Sequence, residues 1–218
     1  MKNLSNLFKI VQLTRAQTQY GYLLSGIPRN QLPNLAEHHY LVTFIAWQIA
    51  LNLKQAGANI SIEKVLEYSL IHDLGELMGG DISALYAKVN PKAKKLAKTF
   101  EEENQKYLAK FFGSESKRFK NMAKEILDAK SDEALIAKVA DYMECAIFKV
   151  YVNNFKKSDK QFNEEKIGMF INKIKDKTAK KLLQDFLVGW LATLEENDYI
   201  KIIGLAGGND PELVYEQS

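Results

Sequence analysis

Tyr68-Ser69-Leu70-Ile71-His72-Asp73-Leu74-Gly75-Glu76-Leu77-Met78 is the stretch on which the reading of this chain turns. Its apolar residues carry a helical period, and three ionisable side chains interrupt it. On a helix His72 and Glu76 are four apart and stack on one face, with Asp73 one step round. Set among Leu70, Ile71, Leu74 and Leu77, the three groups fall at a mostly buried site. An unpaired buried charge costs about 3–5 kcal/mol. Something must offset that, and a divalent cation does so well.

Upstream, the chain has only two other histidines, His38 and His39, both inside a strongly apolar helical stretch. His38 shares a face with Leu41, Val42, Ile45 and Ile49 and so points into the core. Taken alone, it reads most simply as a satisfied core histidine. His39, beside Thr43, Ala46 and Ala50, keeps that plain reading. Downstream, Asp141 sits in a segment that is apolar nearly all round, with Leu135, Ile136, Val139, Met143, Ala146, Ile147 and Val150 on one side. Ala134, Ala137, Cys145 and Phe148 lie on the other, so this helix is central. Asp141 needs either a basic partner from elsewhere or a cation.

Together, His38, His72, Asp73 and Asp141 form a mixed set of nitrogen and oxygen donors. Such a set suits one divalent transition metal (Mn, Co, Fe, Ni or Zn, with Mg also compatible), water filling the open positions. A closed structural zinc site would instead want four tight ligands, usually thiolates. An open metal site lowers the pKa of a bound water and polarises a phosphoryl oxygen.

The frame around these residues is all-α. The 218 residues suffice for one domain with a sizeable core. Apolar residues make up 46% and charged residues 26%, an ordinary globular balance. Helical stretches are expected near residues 4–13, 34–55, 61–77, 91–111, 114–129, 131–152 and 164–196, a bundle of about six to eight helices. Asn34, Ser61 and Ser131 are the N-caps and Gly57 a stop. In the last stretch Leu183, Phe186, Leu187, Trp190, Leu191 and Leu194 form a core stripe. The domain is expected to end near residue 205, with residues 206–218 as a loosely ordered tail.

A net charge of +3, with acids interleaved among the lysines of residues 92–98 and 173–181, gives no basic stripe for nucleic acid. The single cysteine, Cys145, excludes a disulfide within the chain. No run of 18 apolar residues is present, so no membrane span is expected. The N-terminus lacks the pattern of a signal peptide, and a cytoplasmic location is expected by default.

At this point the pattern resembles a known family. His38, then His72-Asp73, then Asp141 is similar to the H…HD…D signature of HD-domain metal-dependent phosphohydrolases. More closely it resembles their 5′-deoxynucleotidase, oxetanocin-like branch. The matching pieces are Leu35-Ala36-Glu37-His38, then His72-Asp73-Leu74-Gly75-Glu76 followed by Gly80-Asp81-Ile82, and Lys138-Val139-Ala140-Asp141. The resemblance spans about residues 10–155. It implies that His38, His72, Asp73 and Asp141 bind one metal. It also implies that Glu76 acts as general acid/base and that Asp81 helps place the substrate, although Asp81 also reads as a plain turn residue after Gly79-Gly80.

Relatives carry an arginine and a tryptophan ahead of the first histidine. Here Gln19 and Tyr22 fall at those places, and Arg15 is a substitute phosphate contact. Three histidines are too few for a binuclear centre. The implied activity is hydrolysis of a 5′-deoxynucleoside monophosphate, and the implied assembly a homodimer. The alternatives are another phosphate ester, including a nucleoside triphosphate, or a non-catalytic nucleotide-binding module.

Overall fold

The computed structural model describes residues 2–194 and 198–206, and it is all-α as expected. Residues 207–218, most of the expected tail, lie outside the described residues. The elements are α1 (Lys2–Val11), α2 (Leu35–Gln55), α3 (Ile62–Ile71), α4 (Ala84–Val89), α5 (Pro91–Leu108), α6 (Ser116–Asp128), α7 (Asp132–Tyr151), α8 (Lys157–Lys173), α9 (Lys177–Thr193) and α10 (Tyr199–Ala206). Five short 3-10 turns are interspersed, among them Gln12–Arg15, Tyr20–Ser25 and Leu74–Met78. No helix among the described residues is long and apolar enough to cross a membrane.

The bundle is built around α7, which packs against α2, α3, α6 and α8. Its buried residues run round the helix, from Leu135 and Ile136 through Val139 and Ala140 to Met143 and Ala146. Val42, Ala46 and Ala50 of α2 and Ile167 and Ile171 of α8 meet them in one core. Each fully buried Leu, Ile or Val contributes about 1.5–3 kcal/mol. The expected caps form. The Asn34 side chain accepts from the Glu37 N–H while Glu37 answers the Asn34 N–H, and Ser61 and Ser131 cap α3 and α7.

Two expected helices are broken. The stretch 164–196 is two helices, because the backbone turns out at Ile174 (ψ 133°). The free N–H groups of Lys175 and Asp176 donate to the two carboxylate oxygens of Asp132, at 2.9 and 2.8 Å. Side-chain acceptors thus replace the helical carbonyls there without any proline or glycine. Similarly α3 ends at Ile71, and Leu74–Met78 is a separate 3-10 turn. The His72 ring N–H donates to the Ser69 carbonyl at 2.7 Å, satisfying one of the last acceptors of α3. Glu76 therefore does not sit one α-turn above His72, and it reaches the site from the 3-10 turn.

A candidate metal centre

α2, the end of α3 and α7 meet at four side chains. Ligating atoms of His38, His72, Asp73 and Asp141 all lie within 4.8 Å of one another. His38 Nε2 is 3.0 Å from His72 Nε2 and 3.4 Å from Asp141 Oδ1. Asp73 Oδ2 is 3.3 Å from His72 Nε2 and 3.6 Å from His38 Nε2. Both histidines are fully buried.

The other ring nitrogens fix the tautomers. His38 Nδ1 lies 2.6 Å from Glu144 Oε2, and a carboxylate can only accept, so Nδ1–H donates. His72 Nδ1–H donates to the Ser69 carbonyl. Both Nε2 lone pairs are thereby turned on one point, shared with two carboxylate oxygens. Four electron-rich atoms converging at such distances require a cation between them. Hydrogen bonds with Asp141, Asp73 and Glu144 overcome the lowering effect of burial and raise the His38 pKa well above its ordinary value. A proton is the least cation that answers the cluster.

Lys138, one turn before Asp141, divides the carboxylates. Its Nζ is 3.1 Å from Asp141 Oδ2 and 3.7 Å from Asp73 Oδ1. These are the oxygens that do not face the histidines. Burial alone would raise both acids, but His72 and Lys138 hold Asp73, and Lys138 and His38 hold Asp141, well below the usual carboxylate range. The basic partner and the cation considered for Asp141 are thus not alternatives, since each takes one oxygen. Asp73, Asp141 and Glu144 against one lysine leave two negative charges in excess, which one divalent ion neutralises. The donor set fits a divalent metal, in number, in chemistry and in charge.

Beside the cluster opens a cavity of about 400 Å³, lined by Asp73 and Asp141 and also by Glu76, Asp81, Gln19 and Tyr22. Burial, then Asp73 and Asp81, raise the Glu76 carboxyl well above its ordinary pKa. Asp81 is raised too, by burial, against the Gly21 N–H that donates to it. That bond ties the N-terminal segment across the cavity. A Cβ on Gly21 would come within 3.1 Å of Asp81 Oδ1, so a larger residue there would press the Asp81 carboxylate back by a few tenths of an ångström. Gln19 Oε1 and the Tyr22 hydroxyl are buried without a hydrogen-bond partner among the described residues. Arg15 stands elsewhere. Thr14 takes the inward place in the Gln12–Arg15 turn, and Arg15 is solvent-facing, donating to Gln12 Oε1 at 3.0 Å.

Five side chains at the site were given no role by the sequence reading. Glu144 and Lys138 are the partners just described. Glu101 lines the cavity, and burial, then Asp73, push its carboxyl up to about 7. Lys98, with Lys94, reaches the same cavity from α5.

A family model described as an HD domain matches residues 15–185 of the chain. Among solved structures, the PH0347 protein of Pyrococcus horikoshii OT3 superposes with a TM-score of 0.62 at 23% identity, over 87% of this chain and 98% of that one. A conserved hypothetical protein of Pyrococcus furiosus superposes with a TM-score of 0.58 at 24% identity, over 83% and 96%. At these identities the likeness is one of fold. No curated protein matches the sequence. A match over most of the chain, on the helices that bring His38, His72-Asp73 and Asp141 together, means that this protein belongs to the HD domain family.

Proposed function

We propose that this protein is a metal-dependent phosphohydrolase that cleaves phosphate monoesters, 5′-deoxynucleoside monophosphates first among them, to nucleoside and phosphate. The observation that carries the reading is the convergence of His38, His72, Asp73 and Asp141 at the wall of a cavity that also holds Glu76, a carboxyl whose pKa burial raises. A divalent ion held by those four side chains would supply an acidified water and polarise a phosphoryl oxygen.

The chain's own residues do the rest. Lys138 and Glu144 keep the ligands charged and oriented. Glu76, not engaged by the histidines, moves the proton between the attacking water and the product. Its raised pKa brings it closer to the working pH of a general acid/base. Gln19 Oε1 and the Tyr22 hydroxyl offer unpaired polar atoms to the nucleoside, and Asp81 offers a carboxylate to the sugar. Lys94 and Lys98 meet the phosphate in the role that Arg15, facing solvent, does not fill. Those two lysines favour a second reading, a nucleoside triphosphate whose further phosphates they neutralise.

Phosphate release from deoxyribonucleoside and ribonucleoside monophosphates, triphosphates and a sugar phosphate, each with Mn, Co, Mg and Zn, separates the readings. Turnover of deoxynucleoside monophosphates supports the first and turnover of triphosphates the second. Metal binding without turnover of any ester would leave a non-catalytic nucleotide-binding module.

A further inference from the structure

Apart from the cavity beside the metal ligands lies a second concavity, an apolar groove of about 730 Å³. α1, α2 and α3 form it, with Leu7, Trp47, Leu66 and Leu70 on its walls. It shares no residue with the cavity beside the metal ligands. No Asp, Glu, Lys or Arg lines it. Its size falls in the usual range for small-molecule sites, roughly 300–1,000 Å³.

Among the polar side chains that α2 puts in this lining, His39 and Thr43 are unsatisfied. His39 Nε2 and Thr43 Oγ1 are both buried and have no hydrogen-bond partner among the described residues. His39 is only 6% exposed. The two are four apart on one helix, so they stack on one face of α2. Buried polar groups are nearly always paired, and an orphan in a native fold calls for an explanation. Two orphans at adjacent positions in one apolar groove call for the same one. With no protein partner among the described residues, they are left to a water or to a group inserted into the groove.

We infer that the groove is a binding site for a small apolar molecule carrying one uncharged hydroxyl, which meets His39 Nε2 and Thr43 Oγ1 together. A hydroxyl both donates and accepts, so one group answers an imidazole nitrogen and a threonine hydroxyl at once. A charged head would be buried with no counter-ion. The His39 ring centroid lies 4.9 Å from that of His72, so an occupant that meets His39 is one ring contact away from a metal-centre side chain. The site is therefore placed to regulate the centre.

The test uses the whole chain with Trp190→Phe, which leaves Trp47 as the reporter, since the sequence has two tryptophans. The probes are 1-octanol and its methyl ether, which keeps the chain and loses the O–H. 1-Octanol should shift Trp47 emission saturably, at one site per chain, and bind about tenfold more tightly than the ether, the worth of one hydrogen bond. Adding Thr43→Val should weaken both probes alike, since the oxygen of each can accept from the Thr43 O–H, and leave the difference between them, which rests on donation to His39 Nε2. Equal binding of the two probes to the threonine protein would overturn the inference. So would a protein that sediments as a dimer with Trp47 shielded from quencher and unresponsive to 1-octanol, because the groove would then belong to a second copy of the chain.

Discussion

The Glu144 carboxylate oxygen lies 2.6 Å from Nδ1 of His38, on the side of the ring turned away from the other ligand atoms. α7 therefore brings two acids to the centre beside Lys138. Asp141 faces the cation position, and Glu144, three residues on, orients the imidazole contributed by α2. Partners of this kind typically change metal affinity by about 10–100-fold. Glu144→Gln retains the shape but reverses or weakens the hydrogen bond. It should lower metal affinity within that range in a calorimetric titration and leave the helical circular dichroism signal unchanged.

Lys138 joins the two aspartates through the oxygens that face away from the histidines. Lys138→Met removes the only lysine in that arrangement and leaves two buried carboxylates in mutual repulsion. The metal-free variant should lose roughly 3–5 kcal/mol of stability. Saturating divalent metal should return most of it, because the ion then neutralises both acids. Denaturant melts with and without metal check this, and an equal loss in both states would count against the shared-oxygen arrangement.

Glu101 makes the metal-free protein sensitive to pH. Its carboxyl is raised from 4.5 to about 7, first by burial and then by Asp73. The folded state therefore holds a proton that the unfolded state releases. That contribution to stability is fully present below about pH 4.5 and is lost as pH rises through about 7. Glu101→Gln cannot ionise. The fall in Tm of the metal-free protein between pH 5 and 8 should be shallower in the variant than in the parent chain.

Gly75 sets the distance between the 3-10 turn and α5. A Cβ there would lie 2.6 Å from Glu101 Cγ and 2.9 Å from Gln105 Cγ, and the Gly75 carbonyl accepts from Asn104 at 2.8 Å. Gly75→Ala must push α5 outward. It should cost about 1–3 kcal/mol, as overpacking does. It should also restore a more ordinary pH response at Glu101 by opening it to water. Chemical denaturation and the same Tm series measure both effects.

The four converging side chains were legible because each is an ionisable residue standing among apolar neighbours. His38 sits above Val42, His72 follows Leu70-Ile71, and Asp141 follows Val139-Ala140. Their supports were not. Glu144 reads as an ordinary helical glutamate until α2 packs on α7 and buries it to 3% exposure. Glu101 belongs to a run with Glu102 and Glu103 that reads as a solvated face, and the small size of Gly75 is what brings the first of the three inside. Helix caps followed from local chemistry, so Asn34, Ser61 and Ser131 were readable. The ends of α3 and α8 were not, because His72 and Asp132 terminate them through side-chain bonds that local propensity does not encode. Arg15 was placed by spacing alone, and the turn around Thr14 directs it to solvent.

The central claim is that two imidazoles and two aspartates hold one divalent ion. Titrating metal-free protein with Co(II), whose absorption reports its ligands, tests it directly when Asp141→Ala is run in parallel. One ion per chain should bind the parent protein with a spectrum of nitrogen and oxygen ligation, and the variant should lose both the stoichiometric binding and the spectrum. A parent chain that binds no ion, or a variant that binds it equally well with the same spectrum, would contradict the account.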